Sequence, residues 1–139
     1  MKDLHDNIDS RRVISPTRAT DNTALVGQII NHAGYESAEY IVNTGTLADV
    51  DMTVTALLEE SDDPAMAGAV AVAAADRLGS LPSFIFSDDD KVFKCGYKGG
   101  KQYTRLTLTP ALNAGNADIS AICVLSHARH APAGATQTP

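Results

Sequence analysis

The sequence predicts an all-β protein, an antiparallel β-sandwich or jelly-roll-like barrel with an extended N-terminal arm and a C-terminal tail. Two observations predict it. Several segments alternate apolar and polar residues with the period of two that turns one face of a strand inward. Clusters of Gly, Asn, Asp, Ser and Pro separate those segments at short intervals, the spacing of sandwiches and barrels. At 139 residues the chain has the size of one domain, which buries roughly 70% of its unfolded surface without staples.

Residues 1–22 are mostly polar and charged, with Val13-Ile14 as their one apolar pair, which Pro16 soon follows. Such a segment supplies no core face of its own and reads as an arm. The domain spans 23–126, and its first strand candidates are short, at 25–30 and 39–43. At 52–59, Met52, Val54, Ala56 and Leu58 share one face while Thr53, Thr55 and Glu59 take the other. This is the pattern of a half-buried strand.

The stretch after Pro64 supports two readings. Pro64, the alanine-rich run 65–77 and Gly79 supply the start, body and stop of a helix. Against this, Ala69-Val70-Ala71-Val72 suits a strand, and Gly68 weakens a helix by about 1 kcal/mol relative to alanine. The expectation is a strand through Val72, then one helical turn over 74–78. Further strands are expected at 91–97, 102–109 and 119–125. In the second of these, Leu106 and Leu108 point inward and Tyr103, Arg105 and Thr107 outward; the third is apolar on both faces, as in a central strand.

Turn residues punctuate these runs at 43–45, 61–64, 87–90, 98–101 and 113–116. Lys98-Gly99-Gly100-Lys101 carries the diglycine of a tight primed hairpin turn. From His127 onward, residues 127–139 contain two prolines and no periodicity, which marks a tail.

Composition removes several classes of function. With a net charge of -6 and no basic cluster beyond Arg11-Arg12, the chain lacks the concentrated positive face that nucleic acid requires. No apolar run approaches the ~20 residues that span a bilayer, and the start Met1-Lys2-Asp3-Leu4-His5-Asp6 has no apolar signal core, so no membrane partner is expected. Cys95 and Cys123 have no metal-binding spacing. They fit small buried hydrophobes kept as thiols, with a bridge between neighbouring strands left open.

Groups for catalysis are scattered. Of the four histidines, His5, His127 and His130 lie in or beside the tails, and His32 lies in the loop Asn31-His32-Ala33-Gly34-Tyr35 near Ser37 without a spacing that selects the pair. His127 and His130 would share a metal only on a helix, and the preceding residues read as strand. The clusters Asp62-Asp63 and Asp88-Asp89-Asp90 lack the alternating donors and closing glutamate of a calcium loop. No cofactor, no metal and no catalytic residue is expected, and the chain does not read as an enzyme. Glycan binding through an aromatic platform would have to use Tyr35, Tyr40, Tyr97 and Tyr103, since tryptophan is absent.

The ordered succession VNTG at 42–45, LEESDD at 58–63, AADRLGSLP at 74–82, GYKGGKQYTRLTLT at 96–109 and HARHAP at 127–132 resembles a family of small head proteins of tailed bacteriophages, encoded close to the major capsid gene. Three quarters of the chain takes part; residues 1–24 match less clearly, and Pro64 stands where a glycine would be expected. The resemblance implies a virion structural protein made in the bacterial cytoplasm and seated on the capsid surface, where it decorates or cements the shell. The implied partners are the major capsid protein and further copies of the chain, a homotrimer being the favoured oligomer. A neck, connector or tail-completion position is the first alternative, and a receptor- or glycan-binding module the second. Contacts are expected from the segments outside the domain, at Val13 and Ile14 in the arm and at His127, Arg129, His130 and Pro132 in the tail.

Overall fold

The computed structural model describes residues 3–130 and 132–133. Its strands are β1 (Ile8–Ala19), β2 (Leu25–Val26), β3 (Ile30–Asn31), β4 (Tyr35–Leu47), β5 (Thr53–Ser61), β6 (Val70–Ala71), β7 (Arg77–Leu78), β8 (Phe84–Ile85), β9 (Val92–Tyr97), β10 (Tyr103–Ala111) and β11 (Ala117–Ala128). The first sheet has the order β1-β11-β4-β9-β7. The second runs β2-β10-β5-β6, with β3 also on β10 and β8 also on β5. All pairings are antiparallel. The two sheets pack face to face as a β-sandwich.

The alternation seen in the sequence sets the core. Met52, Val54 and Leu58 face inward from one side with Leu106 and Leu108, and they meet Tyr40, Val42, Cys123 and Leu125 of the other sheet. Ala56 of the same face is partly buried against that core.

The largest correction concerns residues 1–22. They are not an arm: Ile8–Ala19 is a 12-residue strand of the first sheet, and Val13 and Ile14 are core residues with 2% and 7% of their surface exposed. Strand β1 escapes a pattern search because its register against β11 shifts twice, between Arg12 and Ile14 and between Ile14 and Thr17. Those bulges, together with Pro16, break the period of two and also blunt an edge strand against unwanted pairing. Asp9, buried at 1%, anchors the strand by accepting hydrogen bonds from Arg11 Nε (2.8 Å) and the Tyr35 hydroxyl (3.0 Å).

The tail boundary also moves. Strand β11 extends through His127 to Ala128, and Ala133 is buried, its N–H donating to the Asp6 carbonyl. Ala131 and residues 134–139 lie outside the described residues.

Three local expectations change for physical reasons. Residues 43–45 are no turn but the middle of β4, where Thr44 is buried and a register shift against β11 sits between Ala117 and Ile119. Lys98-Gly99-Gly100-Lys101 is no hairpin, because β9 and β10 belong to different sheets and neither glycine has positive φ. Gly99 is required for another reason: a Cβ there would stand 2.6 Å from the Tyr97 ring. Third, the 25–30 strand is broken at Gly27, where a Cβ would meet the Leu106 carbonyl oxygen and Val13 at 2.5 and 2.7 Å. Of the two readings for 64–79, the strand followed by a turn is closer, with β6, then a 3-10 turn at Ala74–Asp76, then β7.

Candidate functional site

Of the six residues singled out as contacts in the sequence, the structure separates two from the rest. Val13 and Ile14 are internal and leave the set. His127, Arg129, His130 and Pro132 are exposed at one end of the sandwich, where the Arg129 N–H donates to the Gly34 carbonyl at 2.8 Å.

That end carries a cleft of about 560 Å³ between the β3–β4 loop and the 98–102 connection, lined among others by His32, Ser37, Asp62, Lys98, Lys101 and Arg129. Its walls are ionic and hydrogen-bonding. Lys101 Nζ pairs with Asp62 at 2.7 Å, and the Lys101–Asp62 hydrogen bond holds that carboxylate below its usual range. Tyr97 donates its hydroxyl to Glu60 at 2.7 Å, and burial followed by that contact pushes the phenol up.

His32, in the loop between β3 and β4, is partly buried. Its Nε2 lies 2.6 Å from Thr104 Oγ1, and its ring packs on Tyr97 with centroids 5.0 Å apart. Burial lowers its pKa to about 4, so the ring is neutral at pH 7, and the hydroxyl it meets is the buried one of Thr104. Thr104 Oγ1 in turn meets the Tyr40 hydroxyl at 2.5 Å.

Ser37 meets a different histidine. The β4–β11 register sets Ser37 opposite Ser126, and the next residue, His127, has φ 54° and places Nδ1 2.8 Å from Ser37 Oγ. The pair has the contact of a nucleophile with a base, but it is exposed. No sequence signal reveals it, because the partners are 90 positions apart and meet only through strand register.

The remaining candidate surfaces are the outer faces of the two sheets. On the first, the strand registers align Arg12, Ile122, Ile41 and Lys94 in one row, and Val92 lies in the next row beyond Asn43 and Ser120. Ile122 is 42% and Val92 66% exposed. On the second, Val26, Thr107 and Leu57 form a row, with Val26 58% and Leu57 43% exposed. Among the described residues no group of three or more His, Cys, Asp or Glu side chains is placed to hold a metal ion, and no helix is long and apolar enough to cross a membrane. The tyrosines offer little platform, since Tyr40 and Tyr97 are buried.

Compared with known proteins, the chain matches no family model and no curated sequence.

Proposed function

We propose that this protein is a structural component of a tailed-phage virion, a decoration or cement protein that binds the shell of the major capsid protein and reinforces it without catalysing a reaction. The observation that carries the reading is the presence of large apolar side chains on both outer faces of the sandwich: Ile122 and Val92 on one, Val26 and Leu57 on the other. The solvated face of an antiparallel sheet is ordinarily polar, and apolar patches rimmed by polar groups mark interaction surfaces. A body that is adhesive on two opposite faces is suited to bridging neighbours in a lattice, where several weak contacts act together.

Two further features support the reading. The sequence motifs resemble those of phage head proteins. Three contacts between polar groups inside the fold help to hold it, His32 with Thr104, Thr104 with Tyr40 and Tyr97 with Glu60.

Quantitative mass spectrometry of purified virions tests the proposal. A copy number comparable to that of the major capsid protein is expected. A single ring's worth per particle would move the protein to the neck or tail, and its absence from virions would end the reading.

A further inference from the structure

The two outer faces differ in how charge is arranged, and that difference assigns a partner to one of them. Across the first sheet, Arg12, Ile122, Ile41 and Lys94 stand side by side on β1, β11, β4 and β9. The centre is apolar and is extended by Val124 and Val92 on adjacent rows. A cation closes each end, both are exposed, and neither belongs to an ion pair among the described residues. Three strand spacings of about 4.8 Å separate the two cations at the backbone, on the order of 14 Å. Of the carboxylates nearby, Asp118 is taken by Arg18 at 2.7 Å, and Glu39 lies in the adjacent row with its Oε2 over Gly96.

This row rejects a second copy of itself. A twofold interface is self-complementary, and two face-to-face arrangements lay this row on its own copy. With the axis along the row, Arg12 falls on the partner's Arg12 position and Lys94 on its Lys94 position. With the axis along the strands, between β11 and β4, each arginine falls on a lysine. Both set like charges together on a surface being desolvated, which costs several kcal/mol. On the second sheet the corresponding cation is already neutralised, because Arg105 pairs with Glu59 at 3.0 Å.

We infer that the outer face of the first sheet is the surface that meets the capsid subunit, and that the matching patch there has an apolar centre with a carboxylate on either side, on the order of 14 Å apart. The inference rests on the decoration reading above and adds to it the face, the chemistry of the partner and the exclusion of a homodimer in which this row lies on its own copy.

The experiment uses the full chain and heads assembled from the major capsid protein of the same phage, with bound protein measured by co-sedimentation. Four variants are compared with the wild type: the charge reversal R12E/K94E, the conservative exchange R12K/K94R, I122E on the same face, and L57E on the opposite face. Arg12 and Lys94 are exposed, so their exchange leaves the core intact, and thermal unfolding checks each variant. The expected result is at least a tenfold loss of affinity for R12E/K94E and I122E, with R12K/K94R within about twofold of wild type and L57E retained. Wild-type binding should also weaken as salt rises. If the wild type binds and R12E/K94E binds equally well, or if L57E is the variant that releases, the assignment of the face is wrong while the decoration reading stands. If the wild type binds no head at all, both fall.

Discussion

Tyr40 and Thr104 join the two sheets through a hydrogen bond of 2.5 Å in the middle of the core. Tyr40 is on β4 of the first sheet, Thr104 on β10 of the second, and neither side chain reaches solvent. Because Thr104 also meets His32, its single hydroxyl serves two partners. Thr104→Val removes the shared atom and strands two polar groups, whereas Tyr40→Phe leaves Thr104 with His32. A buried group left without a partner costs about 1–3 kcal/mol and a net hydrogen bond about 1 kcal/mol. Urea denaturation should therefore show a loss of about 2–4 kcal/mol for Thr104→Val and about half of it for Tyr40→Phe. Equal losses would mean that the His32 arm of the chain contributes nothing.

The same chain makes stability depend on pH. His32 has a pKa of about 4 in the fold, against 6.5 as its ordinary value, because burial disfavours the imidazolium. Between those values the unfolded chain binds the proton and the folded one does not. The contribution of His32 is thus complete above pH 6.5, declines as pH falls and is gone near pH 4. Its full size is at most about 3 kcal/mol. Urea midpoints of wild type and His32→Gln, compared from pH 8 to pH 4, should converge as pH falls through this window. Parallel curves would show that the ring is solvated.

How much of this was legible in advance varies by element. Strands β5 and β10 were, because Met52, Val54 and Leu58 and then Leu106 and Leu108 keep an unbroken period of two. Strand β1 was not, since two bulges and Pro16 interrupt its pattern and its inward charge, Asp9, is satisfied by Tyr35 from a strand remote in sequence. The diglycine at 99–100 was misleading for a related reason: composition identifies a tight approach but not what approaches, here the Tyr97 ring. The Ser37–His127 contact follows from register alone, and the outer-face row is visible only once Arg12, Ile122, Ile41 and Lys94 are aligned across four strands.

Glycine substitutions separate close approach from simple turn composition. A Cβ at Gly27 would press on the Leu106 carbonyl and Val13, while one at Gly100 meets nothing within 4 Å, and neither residue has positive φ. Gly27→Ala should destabilise by more than about 2 kcal/mol, since backbone on one side and core on the other leave no room to relax. Gly100→Ala should be neutral or stabilise by up to about 1 kcal/mol by restricting the unfolded chain. Thermal unfolding of the two variants side by side decides the point, and a silent Gly27→Ala would refute the packing described around it.

The cysteines should be inert in the fold. Cys95 and Cys123 lie opposite Tyr40 from either side of β4, two strand spacings or about 9.5 Å apart, beyond the reach of a disulfide. Burial raises both thiols, Cys123 to about 12, and the thiolate is the reactive form. Titration with a thiol reagent should find no reaction in buffer and two equivalents in denaturant. One fast equivalent in buffer would locate a frayed edge at β7, the short strand that flanks Cys95.

Truncation tests the placement of β1. An arm can be removed without harm, whereas removing residues 1–20 from this fold deletes a 12-residue strand, takes Val13 and Ile14 out of the core and uncovers one edge of β11 along its length. Buried apolar truncations of this size class cost about 2–5 kcal/mol each, and a whole domain holds only about 5–15 kcal/mol. The truncated chain should therefore lose cooperative unfolding altogether. The point variant Ile14→Ala should lower stability by about 2–5 kcal/mol, and Ser15→Ala, one position on and exposed, should stay within about 0.5 kcal/mol. A truncated chain that unfolds at the wild-type urea midpoint would return the segment to the role of an arm, and with it Val13 and Ile14 to the set of candidate contacts.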